Sequence, residues 1–121
     1  MANVLGTLGS IYSIPGKVKL STAPVKVMTA LETDLDWSQF NVFKKNITAS
    51  TIFTFSNTVD GVSVLLLVTN ATISGKTINL PAGIKWAGGV MISTIAANTS
   101  VIFSFIKIDG QIYCSAIEGL A

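Results

Sequence analysis

Apolar and polar residues alternate along most of the chain after residue 31, with the period of two that is typical of β-strands. Residues 31–37 follow this pattern with one polar face, and residues 48–56, 76–80 and 111–117 follow it as well; residues 40–46 come after a turn at Ser38-Gln39. Residues 62–69 and 100–108 are more strongly apolar, and the first of these runs is apolar on both faces. That pattern predicts a central strand that is covered on both sides.

Turn signals separate these runs. Pro81, Gly83 and the pair Gly88-Gly89 form a corner around Trp86, and the strands are expected to be arranged about it. Asp109-Gly110, between two alternating runs, predicts a two-residue hairpin turn. Asp60-Gly61 predicts a loop.

Seven or eight short strands at spacings of eight to twelve residues indicate an all-β protein, either an antiparallel β-sandwich or a jelly-roll-like barrel. The composition agrees, because 38 of the 121 residues are Val, Ile or Thr. We assign residues 31–121 to this β-sandwich module.

The first 30 residues differ from the rest, because Gly and Pro divide them into pieces too short for a helix. Residues 17–20 and 25–28 are expected to be short strands. The segment is either an attachment arm that packs on a neighbour or a frayed tail. Its apolar content favours the arm, since disordered segments avoid such residues. These residues include Val4, Leu5, Leu8, Ile11 and Tyr12.

Charged residues make up only 12% of the chain, against about 25% in typical soluble domains. A small domain with so little charge is expected to cover part of its surface with copies of itself or with a larger assembly. The longest apolar run is five residues, so we expect no membrane span and no signal peptide. The chain has eight lysines and no arginine, and nucleic-acid binding is not expected either.

Catalytic chemistry has little support in the sequence. There is no histidine, and Asp34 and Asp36 are the only close carboxylates, which either hold a cation or form a solvated strand face. Cys114 is the only cysteine, and its apolar neighbours indicate a buried structural thiol. We therefore expect no enzyme activity, cofactor or metal. The three sequons at Asn46, Asn70 and Asn98 carry little weight without a signal peptide.

The order of several motifs resembles a β module of tailed-bacteriophage virion proteins, which occurs in tail fibres, head fibres and capsid decoration proteins. The resemblance covers residues 34–117. It rests on residues 34–43, 47–57, the strand after Gly61, residues 77–81 and 84–89, and the segment from Phe103 to Tyr113. It implies a virion structural protein that forms a homotrimer and attaches to the phage capsid or tail through its N-terminal segment.

Two sets of aromatic residues are candidate sites. Phe53, Phe55, Phe103 and Phe105 form pairs at strand spacing and are assigned to the core or to a trimer interface, together with Trp86; a ligand groove is the remaining alternative for the phenylalanines. Trp86 either plugs the corner or a subunit seam, or stacks on a sugar ring, a role for which Tyr113 is the other candidate. The second alternative predicts a carbohydrate-binding module that adsorbs to a host-surface glycan.

Overall fold

The computed structural model describes residues 24–121, which form β-strands and one short 3-10 turn, Ala87–Gly89. The strands are β1 Val25–Val27, β2 Asp34–Asp36, β3 Val42–Ile47, β4 Thr51–Ile52, β5 Thr54–Ser56, β6 Ser63–Asn70, β7 Lys76–Asn79, β8 Lys85–Trp86, β9 Thr94–Ile95, β10 Thr99–Ile108 and β11 Gln111–Leu120. The prediction of an all-β, sandwich-like fold is confirmed.

The strands form one large sheet and two small ones. The large sheet has the order β1-β3-β6-β10-β11-β8, and the small sheets are β2-β5 and β4-β7-β9. At Phe53 the chain passes from one small sheet to the other: the Phe53 amide donates to the Asn79 carbonyl, and the Thr54 amide donates to the Thr33 carbonyl. This break divides the single strand that the sequence predicted over residues 48–56 into two.

Strand pairing is mixed, whereas the sequence pattern suggested an antiparallel arrangement. β1, β3 and β6 are parallel neighbours, as are β2 with β5 and β4 with β7. Parallel pairing requires a long crossover between the paired strands. Within the large sheet, the crossover from β1 to β3 passes through β2, and the crossover from β3 to β6 passes through β4 and β5, so both run through the small sheets. Among the described residues, β10 and β11 are the only sequence neighbours that pair with each other.

The core lies between the large sheet and the two small sheets. The large sheet contributes Phe43, Val64, Leu66, Phe103 and Phe105, all of which are buried. The small sheets and their connections contribute Leu35, Trp37, Phe53, Ile78 and Ile95. Because side chains alternate along each strand, the large sheet turns only one of its faces toward this core.

The predicted turns are present. Asp109 and Gly110 both have positive φ, at 51° and 77°, and they connect β10 to β11 as a tight hairpin. Gly83, Gly88 and Gly89 also have positive φ, which allows the bends on both sides of β8.

The folded unit begins before residue 31. β1 lies within the segment assigned to the arm, yet it pairs with β3 at the edge of the large sheet. The apolar arm residues Val4, Leu5, Leu8, Ile11 and Tyr12 lie outside the described residues.

Candidate interaction surface

The central strand β6 is covered on one face only. Val64, Leu66 and Val68 are fully buried, but Leu65 is 41% exposed and Leu67 is partly exposed. The sequence pattern predicted cover on both sides, and residues 24–121 supply it on one side only. Both small sheets pack against the same face, so no element of the described chain lies over the other.

Strand register brings the outward residues of the large sheet into rows. Val42, Leu65 and Ser104 are direct neighbours across β3, β6 and β10, and the next row contains Leu67, Ile102 and Ile117. We call this surface the outer face. Its apolar members are Val25, Val27, Val42, Leu65, Leu67, Ile102, Ile106, Tyr113 and Ile117.

The outer face carries little charge. Lys44 and Lys85 are the charged residues that occupy outward positions in its rows. The carboxylates of Asp34, Asp36 and Asp60 lie elsewhere, in the β2-β5 sheet and in a loop. A contiguous apolar surface of this kind on a small protein is typical of an interaction site.

The four phenylalanines lie inside the protein. Phe53, Phe103 and Phe105 are at most 1% exposed, and the partly buried Phe55 packs edge-on against Phe105 with ring centroids 5.0 Å apart. Of the alternatives that the sequence allowed, burial places Phe53, Phe103 and Phe105 in the core, with Phe55 packed against it. A subunit interface would have to use other residues.

Trp86 and Tyr113 both line a shallow depression of about 510 Å³ at the β8 edge of the large sheet. In the parallel pairing of β8 with β11, Tyr113 is the register partner of Lys85, and the buried Cys114 is the register partner of Trp86. Since adjacent positions alternate, the two rings point to opposite faces. Trp86 packs edge-on against Phe103 at 6.1 Å, whereas Tyr113 is 41% exposed on the outer face. Of the two candidates for stacking on a sugar ring, Tyr113 is therefore the more exposed.

Asp34 and Asp36 connect β2 to β5 through hydrogen bonds. Asp34 accepts from the hydroxyls of Thr54 and Ser56, at 2.7 and 2.5 Å. Asp36 accepts from the Ser38 amide and hydroxyl and from the Asn57 amide group, and these bonds lower the pKa of its carboxyl. Within residues 24–121, no group of three or more His, Cys, Asp or Glu side chains could hold a metal ion.

Lys45 is a structural residue that the sequence analysis did not single out. Its side chain is 3% exposed, and its ammonium donates to the carbonyls of Thr29, Ala30 and Glu32 at 2.7, 3.3 and 2.5 Å. Burial lowers its pKa, and the charge of Glu32 opposes that shift. Its position between the buried Phe43 and Ile47 on β3 was the signal that could have identified it.

Two other buried polar side chains, Cys114 and Asn70, have structural roles. Burial raises the pKa of the Cys114 thiol to about 12, which leaves it a poor nucleophile at neutral pH. Asn70 is fully buried, and its amide group donates to the carbonyls of Ser74, Ile95 and Ala96. A glycan at Asn70 is incompatible with this arrangement.

Comparisons of the chain with protein-family models, curated proteins and solved structures found no match. Among residues 24–121, no helix is long and apolar enough to cross a membrane.

Proposed function

We propose that this protein is a structural component of a bacteriophage virion, a small trimeric β module attached to the capsid or tail by its N-terminal segment. The observation that supports the proposal best is the outer face, because nothing among residues 24–121 covers the central strands of the large sheet there. A chain that works by assembly accounts for such a surface. The resemblance of the motif order to tailed-bacteriophage virion proteins is the reason for proposing a virion as that assembly.

The proposed mechanism is the association of subunits, and it includes no catalytic or covalent step. Each square ångström of apolar surface that neighbouring subunits remove from water contributes about 25 cal/mol. Residues such as Val27 and Ile117, at 65% and 59% exposure, hold much of this unburied area. The assembled form is then more stable than the separate chains, and its stability depends on protein concentration.

Attachment can be tested by deleting residues 1–23. The deletion should stop before β1, because removing Val25–Val27 would take away an edge strand of the large sheet. We expect the shortened chain to fold and to form the same oligomer as the full chain, but not to join particles. Particles purified from cells that express each form, examined by quantitative mass spectrometry, provide the measurement.

Three results of this test count against the proposal. Absence of the full-length chain from particles contradicts the virion assignment. Equal incorporation of the two forms contradicts attachment through the N-terminal segment. A shortened chain that becomes monomeric assigns residues 1–23 to the subunit contact instead.

A second candidate function is carbohydrate binding during host adsorption. The supporting observation is Tyr113, an exposed ring beside the ammonium-bearing Lys85 in the depression at the sheet edge. Aromatic faces and nearby polar groups suit sugar rings. In a glycan array, Tyr113→Ala should abolish binding while Trp86→Ala, measured on protein that circular dichroism shows to be folded, should retain it. Absence of binding by the unmodified chain removes this candidate.

A further inference from the structure

We infer that the open edge of β1 is a docking site for residues 17–20 of the same chain, which pair with β1 as a hairpin and extend the large sheet by one strand. Residues 1–16 are then left for attachment, and this consequence alone rests on the proposed function. The backbone of β1, the sequence that precedes it and the charges beside it each point to this arrangement.

β1 presents unpaired backbone groups at the edge of the large sheet. Among the described residues its only partner is β3, to which it is parallel. The Met28 amide donates to the Lys44 carbonyl, so Lys26, two residues earlier, also turns its backbone groups toward β3. The amide and carbonyl groups of Val25 and Val27 therefore point away from β3, toward the open edge. Such an edge is a template for a further strand.

The sequence before β1 has the pattern that a partner strand needs. Residues 17–20 read Lys-Val-Lys-Leu, an alternation that predicts a strand. Residues 21–24 separate this run from β1, and antiparallel hairpins form with loops of that length. A two-residue turn at Ala23-Pro24 is disfavoured, because proline cannot adopt the positive φ of such turns and alanine rarely does. The four-residue loop is therefore the shortest suitable connection.

The register of the hairpin follows from this loop and from the open groups of β1. Leu20 lies opposite Val25. Val18 lies opposite Val27, and each of these two pairs can exchange two backbone hydrogen bonds. Because directly opposite residues point to the same face of a sheet, Val18 and Leu20 extend the outer face next to β1.

The charges on the other face of β1 suit this register. Lys19 lies opposite Lys26, whose ammonium is 3.0 Å from the Glu32 carboxylate. Lys26 and Glu32 line a depression of about 530 Å³ together with Asp34 and Asp36. This depression therefore has three carboxylates and one ammonium. As the cross-strand neighbour of Lys26, Lys19 supplies a second ammonium to it.

A shift of the register by one residue would remove this complementarity. Val18 and Leu20 would then face the carboxylates, and Lys19 would lie on the apolar outer face. Such a reversal of faces is strongly disfavoured, because it would bury charge against apolar side chains.

Charge and distance both favour the chain's own segment as the occupant. Residues 1–23 contain two lysines and no acidic residue, whereas residues 24–121 contain six lysines and six acidic residues. The basic run is thus complementary to the carboxylates beside β1. A four-residue connection also holds residues 17–20 near the edge at an effective concentration on the order of millimolar, which favours them over another copy of the chain.

The main test is a disulfide engineered in the full chain. Lys19→Cys with Lys26→Cys places two thiols at a pair whose Cα atoms lie about 4.5 Å apart in this register, within the range of disulfides. The native Cys114 is buried and should not compete. Under mild oxidation, this pair should close at least ~10-fold faster than Val18→Cys with Lys26→Cys, whose thiols point to opposite faces. Peptide mass spectrometry and non-reducing gels measure both reactions.

Hydrogen exchange of the Val25 and Val27 amides provides a readout without added cysteines. Both amides should exchange at least ~10-fold more slowly in the native chain than in Lys19→Glu, which places a fourth carboxylate in the depression. Lys19→Arg keeps the charge and should keep the protection. Thr22→Glu, in the loop, is the control and should also keep it. Circular dichroism establishes that each variant is folded.

Three outcomes overturn the inference. Equal closure rates for the two cysteine pairs contradict the register. Rapid exchange of the Val25 and Val27 amides in the native chain contradicts the pairing itself. A disulfide between positions 19 and 26 that joins two chains shows that β1 pairs with another copy, and the hairpin within one chain is then wrong.

The consequence for attachment has its own measurement. Deletion of residues 1–16 should prevent incorporation into particles as fully as deletion of residues 1–23, although it leaves the hairpin in place. Incorporation of the chain that lacks only residues 1–16 contradicts this division of the segment. Absence of the full chain from particles refutes the virion assignment and leaves the disulfide and exchange results unaffected. Normal incorporation without the expected disulfide refutes the hairpin alone.

Discussion

Replacing Lys45 by methionine tests whether a buried ammonium holds the loop after β1 in place. Methionine keeps most of the side-chain length but removes the three donors that Thr29, Ala30 and Glu32 share through their carbonyls. The adjacent Lys44 provides a matched control, because it is exposed on the opposite face of the same strand. We expect Lys45→Met to destabilise the protein and Lys44→Met to leave its stability nearly unchanged.

The magnitude follows from two opposing effects at Lys45. Each hydrogen bond from a charged donor contributes about 1.5–3 kcal/mol. Removing the ammonium, however, relieves the cost of holding a charge out of water, which is several kcal/mol. Thr29 and Ala30 are exposed, so water can reach their carbonyls after the substitution. We therefore expect a net loss of about 2 kcal/mol, against at most ~0.5 kcal/mol for Lys44→Met.

Urea unfolding followed by tryptophan fluorescence measures both free energies. A loss of this size lowers the urea midpoint by roughly 1–2 M, given the usual dependence of stability on urea. All samples must be measured at the same protein concentration, because the apparent stability of an oligomer depends on that concentration. If the two methionine variants unfold at the same midpoint, the hydrogen bonds of Lys45 do not outweigh its burial, and the reasoning is refuted.

Three further predictions concern the core, the β2-β5 contact and the hairpin. Phe103→Ala removes a ring that packs against Phe105 and Trp86, so the unfolding free energy should fall by about 3–5 kcal/mol; a loss below 1 kcal/mol would contradict its place in the core. The pKa of Asp36 is lowered from 3.8, chiefly by the Ser38 hydroxyl, so its stabilising effect is present above that pH and is lost as pH falls through the lowered value. Urea midpoints at about pH 5 and pH 2 should therefore differ less in Asp36→Asn than in the native chain. Gly110→Ala should cost about 1–2 kcal/mol because φ is 77°, and calorimetry that finds no change would refute this origin.

Local sequence signals were sufficient for the longer strands and for the hairpin turn. β7 and β11 lie where alternation predicted them, and β6 and β10 lie where the strongly apolar runs predicted them, because both patterns are local properties of a strand. Asp109-Gly110 specified its hairpin for the same local reason, since both residues adopt positive φ.

Strand pairing could not be predicted in this way. β1, β3 and β6 are parallel neighbours although other strands separate them in the sequence, and no residue within a strand records which distant strand it will meet. The break at Phe53 is another example. The alternation of side chains continues unchanged from residue 51 to 55. The backbone hydrogen bonds of this segment, however, pass at Phe53 from one small sheet to the other.

The candidate surface was predicted in part. The apolar pattern of residues 62–69 indicated that both faces of β6 need cover, and the low charge of the chain indicated assembly. The assignment of the phenylalanines to either core or interface stayed open, because period-two alternation distinguishes two faces without saying which face is inside. Only the tertiary structure decided this, since both small sheets pack on the side of Phe103 and Phe105 and leave Leu65 exposed.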